Sequence, residues 1–227
     1  MGGYCMTAAL VMPPLANTQD TDSAVFGNTA DTLAAIYQSE VTLAVWQRKI
    51  TPDLIAECQN LLHKKGFMGI RHTYPNSKIA TLKKHILELT DYPLLSADIQ
   101  LLAEMFSCLF DINGVGIRLT ALDNAMCPKF HVDRVPCRLI TTYVGVGTDW
   151  IPHHKVDRRK LGAGSKGLSD AESGLYSDLH TIQVIATGDI ALLKGEAWEG
   201  NEGAGLVHRS PPIANGHKRL LLTLDFL

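Results

Sequence analysis

Hydrophobic positions along this chain fall mostly at helical spacing before Asn113-Gly114 and in short β-type runs after it. From Glu40 to Gln47, Val41, Leu43 and Val45 alternate with Thr42, Ala44 and Trp46, a spacing of two that predicts a strand. Leu54, Cys58, Leu61 and Leu62 then share one helical face. Thr51-Pro52-Asp53 ahead of them supplies a capping hydroxyl, a proline for the first turn and an acid for the positive end of the helix dipole. Ile79, Leu82, Ile86 and Leu89 repeat the helical spacing and predict a second helix. A third is expected with Ser96 as its cap and Ile99, Leu102, Ala103, Phe106 and Phe110 as its apolar stripe. Residues 1 to about 28, rich in Gly, Pro, Asn, Thr and Asp, read as a mobile lead-in.

After Asn113-Gly114 short β-type runs take over: Val115 to Leu122, Leu139 to Val144, Thr181 to Ala186, Asp189 to Lys194, Gly205 to His208 and Arg219 to Phe226. Helices first and strands after, without alternation, argue against a Rossmann-type sheet and for an α+β domain. The expectation is a β barrel or jelly roll with an N-terminal helical cover. No linker separates the halves, so residues 29–227 read as one domain, 29–114 as the mostly helical cover and 115–227 as the β core. Between Gly145 and His180 runs a long connection carrying His153-His154-Lys155 and Arg158-Arg159-Lys160. It reads either as a solvated loop or as a basic lid over an anionic substrate.

Composition narrows the function. The chain of 227 residues is 46% hydrophobic and 19% charged, which fits a packed globule. A formal net charge of −2 gives no general attraction to nucleic acid or membranes, so function is sought in a site. Cys5, Cys58, Cys108, Cys127 and Cys137 form an odd set without Cys-x-x-Cys, which fits a reducing compartment. The first fourteen residues lack a basic region, and Pro13-Pro14 interrupt them; a cytoplasmic protein without a signal peptide is expected.

The candidate chemistry lies in three pieces: Phe130-His131-Val132-Asp133, Gly205-Leu206-Val207-His208-Arg209-Ser210 and the closing run from His217 through Arg219 to Asp225. On a strand, His-x-Asp puts both side chains on one face. His208 then arrives from a separate β run. Two imidazoles and a carboxylate on one side of a metal leave open positions on non-haem Fe(II). Arg219 starts the last apolar strand and suits a bidentate clamp on a carboxylate.

His131-x-Asp133, then His208, then Arg219 resembles the Fe(II)- and 2-oxoglutarate-dependent dioxygenase superfamily, built on a double-stranded β-helix of the jelly-roll or cupin-like kind. The resemblance covers residues from about 115 to 227. The whole chain, with Val45-Trp46-Gln47-Arg48 and Leu193-Lys194-Gly195-Glu196, is also similar to an uncharacterised bacterial family without an assigned function. The superfamily resemblance implies iron ligation by His131, Asp133 and His208, and a pairing of Arg219 with the distal carboxylate of 2-oxoglutarate. It also implies oxidation of a substrate by O₂ with decarboxylation of 2-oxoglutarate to succinate. Many members carry Ser or Thr two positions after the arginine; here that place is Leu221, and Thr223 follows on the same face as Arg219.

Other readings stay open beside it. Cys127 with Asp133 and His208 would make a thiolate site suited to zinc. Tyr143 reads either as a hydrogen-bond donor to the cosubstrate carboxylate or as a half-buried aromatic. Lys194 and Glu196 either orient a substrate or form a strand-edge charge pair. Arg118 and Arg138 sit in β runs, where an inward arginine needs a carboxylate. Arg134 and Arg209 follow ligands and point to the opposite face. Three classes of function follow: an oxygenase acting on an unknown small molecule or macromolecule, a non-catalytic metal-binding or sensing protein on the same barrel, and a jelly-roll interaction module.

Overall fold

The computed structural model describes residues 23–227. Most of residues 1 to 28, including Cys5, lie outside that range. Ala24–Gly27, within the expected lead-in, forms strand β1, because its backbone pairs in parallel with β2, Leu43–Trp46. Helix α1 spans Pro52–His63 and begins as its sequence predicts. The Thr51 hydroxyl accepts the Leu54 N–H at 3.3 Å, and Leu54, Cys58, Leu61 and Leu62 are buried.

The next segment departs from the periodic reading. Gly69–Pro75 forms strand β3, burying Ile70 and Tyr74 on one face. The single helix expected from Ile79 to Leu89 is instead a one-turn α2, Asn76–Ile79, and two 3-10 turns, Leu82–Lys84 and Leu87–Leu89. All four apolar residues are still buried. The helix is interrupted because Gln100 accepts the Lys83 N–H at 3.1 Å and donates to the Ala80 carbonyl at 3.0 Å, taking groups a helix would have paired. Helix α3, Pro93–Phe110, starts three residues before the expected cap. Ser96 lies inside it, and the Leu95 N–H is met by Glu57 of α1 at 2.9 Å.

Strands β4 (Gly114–Leu122), β5 (Cys137–Val144), β6 (Thr148–Ile151), β7 (Gln183–Ile185), β8 (Ile190–Lys194), β9 (Val207–Arg209) and β10 (Arg219–Phe226) complete the fold. They build a seven-stranded sheet in the order β1-β2-β8-β5-β10-β4-β3, and a three-stranded sheet in the order β7-β6-β9. The N-terminal half is therefore more than a helical cover: β1, β2 and β3 belong to the larger sheet, two of them at its edges.

Alternation along the strands sorts the residues between two cores. In β10, Leu220, Leu222 and Leu224 join Leu61, Ile99 and Phe106 in the core between the helices and the outer sheet face. Leu221 faces inward, where Leu43, Val45, Ile140, Trp150 and Leu193 fill the space between the sheets. Arg219 and Thr223 share that inward face. A third cluster ties the connection after β6 to the smaller sheet: Leu175 and Tyr176 pack on Phe130, Ile151 and Val207. The connection is thus docked by its own apolar residues, and Arg158 is bound to Glu196 at 3.1 Å and to the Gly205 carbonyl at 2.9 Å.

Candidate metal centre

His131 and His208 come together through backbone pairing. Between the β4–β5 connection and β9 they exchange two hydrogen bonds, each N–H donating to the other residue's carbonyl at 3.0 Å. The rings stand side by side, with centroids 4.6 Å apart. Only His131 of the His-x-Asp motif makes a β-bridge; Asp133 lies in irregular chain beyond it. Asp133 is held instead from two sides. Its Oδ2 accepts from Arg138 at 2.6 Å, and its carbonyl accepts the Glu196 N–H at 2.9 Å. Gly195 makes that approach possible, because a Cβ there would collide with the Val135 carbonyl oxygen.

Asp133 Oδ1 is 3.8 Å from His131 Nε2, and its Oδ2 is 3.5 Å from His208 Nε2. The three ligand atoms all lie within 4.8 Å of one another. Metal–ligand bonds of about 2.1 Å place neighbouring octahedral ligands about 3 Å apart, so adjustments within side-chain reach would close the set around one ion. Both imidazoles are also oriented for it. His131 Nδ1 donates to the Lys129 carbonyl at 3.0 Å and His208 Nδ1 to the Leu206 carbonyl at 3.1 Å, leaving each Nε2 lone pair for a metal. Burial pushes the His208 pKa down to about 4, against the pull of Asp133, and so keeps it neutral, the form that ligates.

Arg219 forms the wall of the same cavity, whose volume is about 160 Å³. It is 1% exposed and donates only to hydroxyls: Ser210 at 3.2 Å, Thr142 at 3.0 Å and Thr148 at 2.7 Å. Burial lowers its pKa to about 10, partly offset by Asp149. Arg219 Nε and Thr223 Oγ1 are both buried without a partner. Leu221 leaves no hydroxyl at the usual place on β10, yet its cross-strand partner is Thr142, which supplies one. Thr142, Thr148 and Ser210 went unnoticed in the sequence as site residues. Only Ser210 carried a local signal, standing two positions after His208.

Arg209 is bonded to Asp149 at 2.9 Å, lies 3.7 Å from Asp170 and stacks 4.4 Å over the Phe130 ring. Asp170 in turn accepts the Phe130 N–H at 3.0 Å. One carboxylate from the long connection therefore braces the neighbours of both histidines.

A family model described as a protein of unknown function (DUF1826) matches residues 27–225. The chain belongs to this family. A search of curated proteins finds no match. Among solved structures, a rice dioxygenase for auxin oxidation is similar with a TM-score of 0.50 at 12% identity, over 90% of this chain and 82% of that one. A Pseudomonas putida prolyl-4-hydroxylase gives 0.43 at 13% identity, over 87% and 92%. HygX from Streptomyces hygroscopicus, with nickel and 2-oxoglutarate bound, gives 0.43 at 13% identity, over 86% and 85%. The likeness to the rice enzyme shows that this DUF1826 chain shares its fold, a double-stranded β-helix.

The structure turns two expected site residues of the DUF1826 chain away from the cavity. Tyr143 lies on the helix side of the sheet, because the β5–β10 register shifts beside it, and it donates to Asp98 at 2.6 Å. It does not line the cavity. Lys194 shares its strand face with Ile190 and Leu192; it donates to the Gln38 carbonyl at 2.7 Å and lies 4.9 Å from the Trp198 ring centre, away from the metal set. Cys127 lines the cavity, but its sulfur is not among the three clustered ligand atoms. Arg209, expected on the opposite face, also lines the cavity, whereas Arg138 has the carboxylates an inward arginine needs, Asp133 and Asp225.

Proposed function

We propose that this chain is an Fe(II)- and 2-oxoglutarate-dependent oxygenase, with His131, Asp133 and His208 holding the metal and Arg219 binding the distal carboxylate of 2-oxoglutarate. The observation that carries the reading is Arg219. A buried guanidinium whose partners are all neutral hydroxyls, with one nitrogen unpaired, is costly to keep unless an anion completes it. It shares one small cavity with a two-imidazole, one-carboxylate cluster. Bound Fe(II) and 2-oxoglutarate would supply oxidation of a substrate by O₂ coupled to decarboxylation to succinate.

The chain's own residues do the rest. Arg138 orients the Asp133 carboxylate, and the two backbone carbonyls fix the imidazole rings. Thr142, Thr148 and Ser210 hold the guanidinium plane in place, and Thr223 offers its unpaired hydroxyl to the distal carboxylate of 2-oxoglutarate. Ile140 and Leu221 keep that end of the cavity apolar. The odd cysteine count fits a cytoplasmic setting for this activity.

Protein given Fe(II) without oxygen and titrated with 2-oxoglutarate is expected to develop a visible metal-to-ligand charge-transfer band. Arg219→Ala is expected to weaken 2-oxoglutarate binding by about 2–5 kcal/mol, as truncating one side of a buried charge pair does. Tight stoichiometric zinc with no response to 2-oxoglutarate, or unchanged affinity in the variant, would overturn the reading.

A further inference from the structure

Arg118 of β4 and Arg71 of β3 stand directly opposite each other in the sheet register. Like charges in that position repel, and neighbouring carboxylates normally relieve them. Here neither guanidinium has a hydrogen bond or ion pair among the described residues. The other arginines around the metal cavity are already engaged. Arg138 holds Asp133 and Asp225 at 2.6 Å each, Arg209 holds Asp149, and Arg219, cradled by three hydroxyls, is the group assigned above to 2-oxoglutarate. Asp225 lies on the same face as Arg118, two places along β10 from Thr223, the residue paired with Arg118, and Arg138 has taken it.

Arg118 is half-buried and lines two spaces at once. One is the cavity with His131, Asp133 and His208. The other, also about 160 Å³, is bounded by Arg71, Thr73 and Asp225 and opens beside the first. Arg71 is exposed, so the pair runs from solvent toward the candidate metal. Two unpartnered guanidinium forks on one sheet face can each offer parallel N–H donors to a single carboxylate or phosphate.

We propose that Arg118 and Arg71 form an anion clamp on the solvent side of the metal cavity, and that the molecule oxidised is a small anion held there by its carboxylate or phosphate group. The assignment of that anion as a substrate rests on the oxygenase reading. The clamp itself rests only on the two arginines.

The test uses the full metal-free chain, titrated calorimetrically with inorganic phosphate in one arm and acetate in the other. Saturable binding is expected in at least one arm, and the arm that binds tells phosphate from carboxylate recognition. Arg118→Gln is expected to weaken it tenfold or more, and the Arg71→Gln/Arg118→Gln double variant further. Relief of like-charge repulsion predicts that Arg118→Gln unfolds at the same temperature as the parent or higher, which separates a lost site from a lost fold. No saturable binding to the parent chain, equal binding to the double variant, or dependence on Arg219 alone would each overturn the clamp. The double variant is further expected to keep its 2-oxoglutarate charge-transfer titration. If the parent chain shows no such titration while its phosphate binding depends on Arg118, the clamp stands and the oxygenase reading falls.

Discussion

Asp170 shows how much one side chain outside the ligand set can decide. Its carboxylate accepts the Phe130 N–H and lies near Arg209, so it grips the residue before one histidine and the residue after the other. Partners that orient ligands typically carry tenfold to hundredfold effects on metal affinity. Asp170→Ala is therefore expected to weaken metal binding by about 10–100-fold in a chelator competition, with the fold intact by circular dichroism. Unchanged affinity would remove its positioning role. Nothing local in Ser169-Asp170-Ala171 marks this residue; its importance comes from a connection folding back over β9.

At the level of elements, the part-buried Arg48–Asp98–Tyr143 network joins the chain after β2, helix α3 and strand β5. Arg48 grips Asp98 with two hydrogen bonds, at 2.6 and 2.8 Å, and Tyr143 adds a third. Removing Asp98 leaves a largely buried guanidinium with only the Gly188 carbonyl to bond, which costs about 3–5 kcal/mol. Asp98→Ala is expected to lower the urea midpoint accordingly, with an unchanged slope, while metal affinity stays near that of the parent because the network lies on the other side of the sheet. A stability loss below about 1 kcal/mol would show the network to be incidental. The elements differ in how far their own sequence specifies them. Helix α1 was readable because its cap and stripe are local; β3 and the 3-10 turns were not, since their backbone partners, β4 and Gln100, are distant in sequence.

For the whole molecule, the candidate ligands come from two separate parts of the chain, and a metal binding them joins the β4–β5 connection to the smaller sheet. A ligand that binds only the folded state stabilises it by about 2.7 kcal/mol at a hundred times its dissociation constant. Fe(II) or Mn(II) at that excess is expected to raise the unfolding free energy by about this amount. His208→Ala is expected to abolish the increment. An equal rise in the variant would place the metal elsewhere.

Sequence alone determined which residues share a face. The period of two sets Arg219, Leu221 and Thr223 against Leu220, Leu222 and Leu224, and it follows from strand dihedral angles without knowledge of any partner. It also supplied the order His131, Asp133, His208, Arg219 and the start of α1. Tertiary structure alone decided that Thr142, Thr148 and Ser210 surround Arg219, that Tyr143 and Lys194 turn away, and that β1, β3 and β6 complete the sheets. These outcomes depend on register, on the irregularity between β5 and β10, and on which distant backbone groups remain to be paired. Local propensity carries no record of such choices, because each is settled only when separate segments pack against one another.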